Sequence, residues 1–263
     1  MRHSHSLYIF NQGTIYKYGE KRYKLVCMKA CRVPGYEIDG FTRKGEAGND
    51  EKLDNNLRRA FAAVEELALC NDWMWFATLT IDKTKYDRKD LGKIMKDLAQ
   101  LLRDMRKKYG TRCAYLLVPE QHKDGAWHLH GFFEDLPSEE LSEFTLQQHL
   151  PYAIRDRLKD GKQLYTMPSY QTKFGFCSFE RIENQEAAAY YCTKYITKDS
   201  VRMVTELNAH SYYCSQGLKR KEVVAVGDVI GFEPDFENEY CSIKTFDNAE
   251  DALQYIDNGE ENN

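Results

Sequence analysis

Alternating apolar and polar positions predict a β-hairpin within Tyr115–Phe133. A turn-like segment ending in Gly125 separates an apolar run from the strand-like sequence WHLHGFF. Side chains along a strand point alternately to its two faces, so His128 and His130 share one face. The pattern therefore predicts a strand that carries two imidazoles on the same side.

The length of the hairpin loop decides which residue faces His128. A two-residue Asp-Gly turn sets Gln121 opposite it, whereas a three-residue loop with Gly125 in the left-handed conformation sets Glu120 there. We favour the three-residue loop because it gathers one carboxylate and two imidazoles. Glu120, His128 and His130 then form a ligand set for Mg²⁺, Mn²⁺ or another divalent ion. The alternative is that both histidines are ordinary polar residues of a half-exposed strand.

The patterns around the hairpin predict an α+β fold. Apolar residues recur at helical spacing over 57–68 and 91–105, and the aromatic run 73–81 is typical of a central strand. Residues 174–182 and the Val-rich stretch 222–230 predict further strands. We expect a central antiparallel sheet that carries the hairpin, with helices packed on it.

The stretch from Pro137 to Tyr170 is polar and interrupted. Within it, Ser138–His149 and Pro151–Lys159 have helix-like patterns. Residues 200–208 have the composition of core.

Charge divides the chain into three parts. The net charge is −4, but residues 233–263 hold ten acidic side chains and one lysine, a net −9 that leaves +5 on the remainder. We expect a basic segment at 1–53 packed on the core, one domain at 54–232 and an acidic tail at 233–263. A mildly basic body suits a protein that meets nucleic acid over a limited groove, and argues against one that coats duplex DNA.

A second group of reactive side chains lies in a helix predicted after Asn184. Asn184 is a suitable N-cap, and an Ala-rich start leads into YCTKYITK. At helical spacing Tyr191, Lys194, Tyr195 and Lys198 share one face. Tyrosine, with a pKa near ~10, is a weak nucleophile that needs nearby positive charge or a metal-activated electrophile. An amphipathic surface helix with tyrosines at its boundary is the structural alternative.

Composition favours a folded cytosolic protein. No apolar run reaches the ~18 residues of a membrane-spanning helix, and the apolar run at the N-terminus is too short for a signal peptide. The eight cysteines are scattered, and the CxxxC of Cys27 and Cys31 lacks a second pair at zinc-finger spacing. We therefore expect buried or idle thiols and no membrane partner.

Three motifs together resemble those of a known superfamily. They are, in order, FATLT at 76–80, HLH at 128–130 with Glu120 upstream, and YCTKYITK at 191–198. The chain resembles the rolling-circle replication initiators, or Rep proteins, of the HUH endonuclease superfamily over residues 54–219. Its paired tyrosines are similar to those in replication proteins of small single-stranded DNA phages. The segment YCSQGLK also resembles one that follows the tyrosine helix there, with Gln216 where arginine is expected.

The resemblance implies a metal-dependent, site-specific DNA endonuclease and strand transferase with an HUH/RRM-like nuclease fold. Tyr191 or Tyr195 would attack the scissile phosphorus and leave a 5′-phosphotyrosine and a free 3′-OH. Lys194 and Lys198 would hold phosphate, and Mg²⁺ or Mn²⁺ on the carboxylate and two imidazoles would assist. The expected partners are single-stranded or unwound origin DNA and a host helicase and polymerase, in the cytosol of a bacterial host.

Other classes stay compatible with these motifs. A non-catalytic DNA-binding module of a mobile element would bind oligonucleotides without cleavage and be insensitive to EDTA. A globular interaction protein would bind DNA only weakly. A transposase or relaxase of the same superfamily is a nearer alternative, although a relaxase normally has its tyrosine near the N-terminus.

Overall fold

The computed structural model describes residues 8–9, 11–29, 31–32, 49–196, 210–238 and 241–257. The strands in this part are β1 (Tyr8–Ile9), β2 (Gln12–Tyr18), β3 (Arg22–Met28), β4 (Cys31–Arg32), β5 (Trp75–Thr80), β6 (Tyr115–Gln121), β7 (Trp127–Phe133), β8 (Ser142–Glu143), β9 (Leu164–Thr166), β10 (Cys177–Arg181), β11 (Tyr213–Cys214), β12 (Glu222–Val229), β13 (Phe236–Glu237), β14 (Cys241–Phe246) and β15 (Ile256–Asp257). The α-helices there are α1 (Asn49–Cys70), α2 (Leu91–Tyr109), α3 (Tyr152–Lys159), α4 (Pro168–Lys173), α5 (Gln185–Thr193) and α6 (Ala249–Leu253).

The unit formed by residues 49–218 contains a seven-stranded antiparallel sheet. Its strand order is β11-β6-β7-β5-β10-β9-β8, so β7, which carries the HLH sequence, lies in the interior between β6 and β5. The predicted α+β fold, with helices packed on an antiparallel sheet, is confirmed.

Strand alternation divides the side chains of β7 between two cores. Trp127 and Leu129 point to the face covered by α2, where they are fully buried. Phe132 points to the opposite face and packs with α1 and α5. Full burial of a large apolar side chain stabilises the fold by roughly 1.5–3 kcal/mol. His128 and His130 share the α1/α5 face because they alternate with Trp127 and Leu129.

Helix α2 begins at Leu91 and not at Asp87, where the pattern predicted its start. Asp90 is the N-cap, and its side chain accepts a hydrogen bond from the Lys93 amide. The predicted end is confirmed, because Gly110 adopts the left-handed conformation, with φ at 72°, and caps the last turn. No described helix combines the length and the apolarity needed to cross a membrane.

The helix-like pattern of Ser138–His149 does not correspond to an α-helix. A short 3-10 turn covers Ser138–Glu140, and Ser142–Glu143 forms the edge strand β8, paired with β9. The segment is polar, so its backbone finds partners at the sheet edge in place of an apolar helical face. The helix predicted over 151–159 is confirmed as α3, and residues 200–208 lie outside the described part.

The second unit draws its described strands from both ends of the chain. Its six-stranded antiparallel sheet has the order β13-β14-β3-β2-β12-β15. The boundaries of this unit therefore differ from the predicted ones at residues 53 and 232. The acidic stretch predicted as a tail from residue 233 supplies β14, α6 and β15, because its apolar residues Phe246 and Ile256 pack against Ile15 and Leu25.

Candidate active site

The hairpin of β6 and β7 closes through a three-residue loop. The His122 amide donates to Ala126 (2.9 Å), and the Gly125 amide donates to His122 (2.8 Å). Gly125 has φ at 84°, a left-handed conformation in which glycine carries no Cβ penalty. The favoured register is confirmed, since Glu120 lies directly opposite His128.

His130 lies between a carboxylate and a hydroxyl. Its Nε2 is 2.9 Å from Glu120 Oε2, and its Nδ1 is 3.3 Å from Thr78 Oγ1 on β5. A carboxylate only accepts, so we assign the hydrogen to Nε2, and Nδ1 accepts from the Thr78 hydroxyl. Burial lowers the pKa of His130 despite the opposing effect of Glu120, which keeps the imidazole neutral at pH 7.

His128 stacks on a third imidazole, that of His122, with ring centroids 3.9 Å apart. Burial, followed by the proximity of His122 and His130, lowers the pKa of His128 to about 4. His122 Nε2 is also 3.7 Å from Glu120 Oε2. The sequence analysis missed His122, although its position two residues after Glu120 places both on one face of the strand.

The donors around Glu120 have the chemistry of a divalent-metal site. Neutral imidazoles and a carboxylate are ligands for Mn²⁺ and related ions. Among the described residues, however, no group of three or more His, Cys, Asp or Glu side chains is arranged to hold a metal ion. Nε2 of His130 and Oε2 of Glu120 are bonded to each other, and the Glu120 side chain is 37% exposed. The donor types fit an ion, and its binding requires this hydrogen bond to open.

Two phenols lie against these histidines. The Tyr195 ring stacks on His130, with centroids 3.9 Å apart and an interplanar angle of 1°. The Tyr195 hydroxyl donates to the Tyr191 hydroxyl oxygen (2.8 Å). Burial, followed by this hydrogen bond, raises the pKa of Tyr195. Tyr191 is 44% exposed, and its ring meets Phe76 edge-on.

The helix that positions these tyrosines is shorter than predicted. Asn184 is its N-cap as expected, with the side-chain oxygen accepting from the Ala187 amide (3.0 Å). The helix ends at Thr193, and a turn closed by a hydrogen bond from the Tyr195 amide to Cys192 follows it. The phenols therefore meet across a helix terminus and not along one continuous helical face.

The two predicted lysines have different outcomes. Lys194 Nζ lies 3.3 Å from the centroid of the Tyr191 ring and 5.2 Å from that of Tyr195. A cation over an aromatic face is attracted by the ring quadrupole. Lys198 lies outside the described residues. Lys194 thus supplies positive charge beside both phenols.

Residues 74–200 match a family model of replication-associated proteins, the one described by the protein ORF2. The matched range contains β5, the β6–β7 hairpin and α5, which together carry the groups described above. No curated protein and no solved structure gives a significant match. The family match supports a replication-associated protein.

Proposed function

We propose that this protein initiates rolling-circle replication by nicking single-stranded DNA with a tyrosine nucleophile. The observation that carries the proposal is the contact of the Tyr195 ring with His130, in which the phenol hydroxyl also bonds to Tyr191. A phosphodiester beside these rings would meet phenol oxygens, imidazoles and the Lys194 ammonium together. The match to a replication-associated family supports this role.

The nicking step exchanges one phosphate ester for another. A phenol oxygen forms a bond to phosphorus, and the bond from phosphorus to the 3′-oxygen breaks. The phenol loses its proton and the leaving oxygen gains one, which gives a 5′-phosphotyrosine and a free 3′-OH. No water is consumed, so attack by a 3′-OH on the same linkage rejoins a strand.

The two tyrosines have different roles in this proposal. Tyr191 is the more accessible, and we assign the first attack to it. Tyr195 is held by stacking on His130 and serves the second attack after that stack opens. Lys194, and Lys198 by the family resemblance, hold the phosphate as ammonium groups.

Glu120, His128 and His130 would hold one divalent cation, Mg²⁺ or Mn²⁺. Such an ion, when bound, favours negative charge on a non-bridging phosphate oxygen. Thr78 fixes the His130 ring by its hydrogen bond to Nδ1, so that Nε2 faces Glu120.

The substrate in this proposal is single-stranded or unwound origin DNA, because a strand held in a duplex does not reach a recessed tyrosine. A host helicase and polymerase would supply unwinding and synthesis in the cytosol of the host. Exposed aromatic side chains at the site, such as Tyr191, offer stacking surfaces for unpaired bases.

The test is covalent capture on single-stranded fragments that tile the replicon encoding the protein, with Mn²⁺ present. We expect a protein–DNA adduct on denaturing gels from the native protein, and none from the Tyr191→Phe, Tyr195→Phe double variant or from His130→Ala. Tyr195→Phe alone should keep the first adduct and lose the second transfer. Tyr190→Phe is the matched control, because Tyr190 is 79% exposed on the same helix. An adduct from the double variant would refute the nucleophile assignment.

A non-catalytic DNA-binding module is the second candidate. It is favoured by the direct Glu120–His130 hydrogen bond, which engages the donors that an ion needs. This alternative predicts binding that EDTA does not change and no adduct on any fragment. A related HUH transposase or relaxase would form the same adduct and differ in the DNA it joins.

A further inference from the structure

A cavity of about 520 Å³ opens beside Tyr191. Phe76 and Thr78 of β5 and Ser178 and Glu180 of β10 line its floor, and Tyr191 lines its side. The register of β5 and β10 pairs Thr78 with Ser178 and Phe76 with Glu180, so these four share one face of the sheet. The volume falls within the roughly 300–1,000 Å³ of small-molecule sites.

The cavity is continuous with the candidate active site. Thr78 lines it and also hydrogen-bonds to His130. Tyr191 lines it and also hydrogen-bonds to Tyr195. A group seated here therefore lies one side chain away from the residues proposed to react.

The charges that line the cavity are paired with each other. Arg157 forms an ion pair with Glu180, and Lys162 lies 3.3 Å from the Glu183 carboxylate. Arg181, also at the cavity, has its guanidinium over a tryptophan ring at 4.8 Å. Paired cations have little left for a phosphate, so the lining suits a neutral ligand with an aromatic surface and hydrogen-bonding edges.

We propose that this cavity binds one unpaired nucleobase next to the scissile phosphate, an inference that rests on the proposed function. Phe76 and Tyr191 supply aromatic surface to the base. Glu180 accepts from an amino or imino N–H of the base edge, Arg157 donates to a carbonyl oxygen or ring nitrogen, and the Ser178 hydroxyl does either. The base beside the nick is then read by the protein, and the phosphate remains at the tyrosines.

The test separates base contacts from phosphate contacts in the full-length protein. Two fluorescein-labelled ten-nucleotide single strands serve as probes: one of mixed sequence, the other with abasic spacers throughout, which keeps the phosphates and removes every base. Affinities are measured by fluorescence anisotropy in EDTA. Ala187→Trp fills the cavity from the exposed first turn of α5, and Ala62→Trp places the same ring on exposed α1, outside the cavity.

Stacking of one base contributes about 1–3 kcal/mol, a factor of at least about five in affinity. We expect Ala187→Trp to lower the preference for the base-containing strand by at least that factor, and Ala62→Trp to preserve it. An unchanged preference in Ala187→Trp overturns the proposal. If that variant fails to fold, Ser178→Phe fills the cavity from β10 and is judged by the same criterion.

Adduct formation by the native protein distinguishes the two proposals. Adducts together with an unchanged base preference in the filled variant overturn the cavity assignment and leave the nicking function standing. Absence of any adduct overturns the nicking function, and with it the placement of the base beside a scissile phosphate.

Discussion

Replacing Gly131 by alanine tests how closely β6 and β7 must approach to hold His130 against Glu120. A Cβ at Gly131 would lie 2.0 Å from the carbonyl oxygen of Leu116 and 3.0 Å from Cα of Leu117. Atoms in a packed interior cannot overlap, so β6 would have to move by about 1 Å. Both strands have neighbours on each side, which limits the relaxation that is available.

Overpacking of this kind costs about 1–3 kcal/mol, and the restricted backbone places Gly131→Ala at the upper end. For a chain of this size, about 3 kcal/mol corresponds to a fall in Tm of roughly 6–12 °C. The same shift separates His130 from Glu120, so adduct formation should fall as well.

The measurement is thermal unfolding followed by far-UV circular dichroism, with adduct yield on the same samples. Gly92→Ala is the matched control, because a Cβ there meets only the Asp90 side chain, at 3.6 Å. Alanine is favoured over glycine in a helix, so this control should unfold at the same or a higher temperature, with a gain of up to about 1 kcal/mol. A Tm for Gly131→Ala within about 1 °C of the native protein would refute the steric reasoning.

Three further predictions concern the site and its support. Thr78→Val leaves Nδ1 of His130 without its hydroxyl donor and should cost about 1–3 kcal/mol in urea denaturation. The Tyr86 hydroxyl donates to Asp97 (2.6 Å); burial, then this bond, raises the pKa of Tyr86 to about 12, and hydrogen bonds lower the pKa of Asp97. The stabilisation by Tyr86 is therefore present below its unfolded-state pKa and lost as pH rises through about 12, whereas that by Asp97 is present above its unfolded-state pKa and lost as pH falls through its folded-state pKa. Tyr86→Phe should flatten both limbs of a pH series of unfolding curves, and unaltered limbs would contradict the assignment. EDTA should end adduct formation but not strand binding, and calorimetry should show that His122→Ala lowers Mn²⁺ affinity less than His130→Ala does; equal losses would make the third imidazole a full ligand.

Features encoded by neighbouring residues could be predicted from the sequence. The hairpin register follows from strand alternation and from the left-handed conformation of Gly125, and both are local. The end of α2 follows from a strong apolar period and a glycine cap. These elements required no knowledge of distant contacts.

Features set by distant contacts could not be predicted in this way. Nothing near Gln12–Tyr18 indicates that its partners are β3 and β12, the latter two hundred residues downstream. The end of α5 at Thr193 also escaped prediction, because propensity continues through YCTKYITK. The stack of Tyr195 on His130 brings together residues from a helix terminus and an interior strand, and only the packed structure defines it.

The split of one unit across both chain ends has a consequence for synthesis. Residues 49–218 are contiguous, so they can fold while later residues are still being added at the ribosome. Strands β2 and β3 emerge earlier but lack β12 and β14 until the final segment has been translated. A chain that stops near residue 218 would carry a finished nuclease-like sheet together with an N-terminal hairpin whose two edges stay open, and such open edges are sites of aggregation.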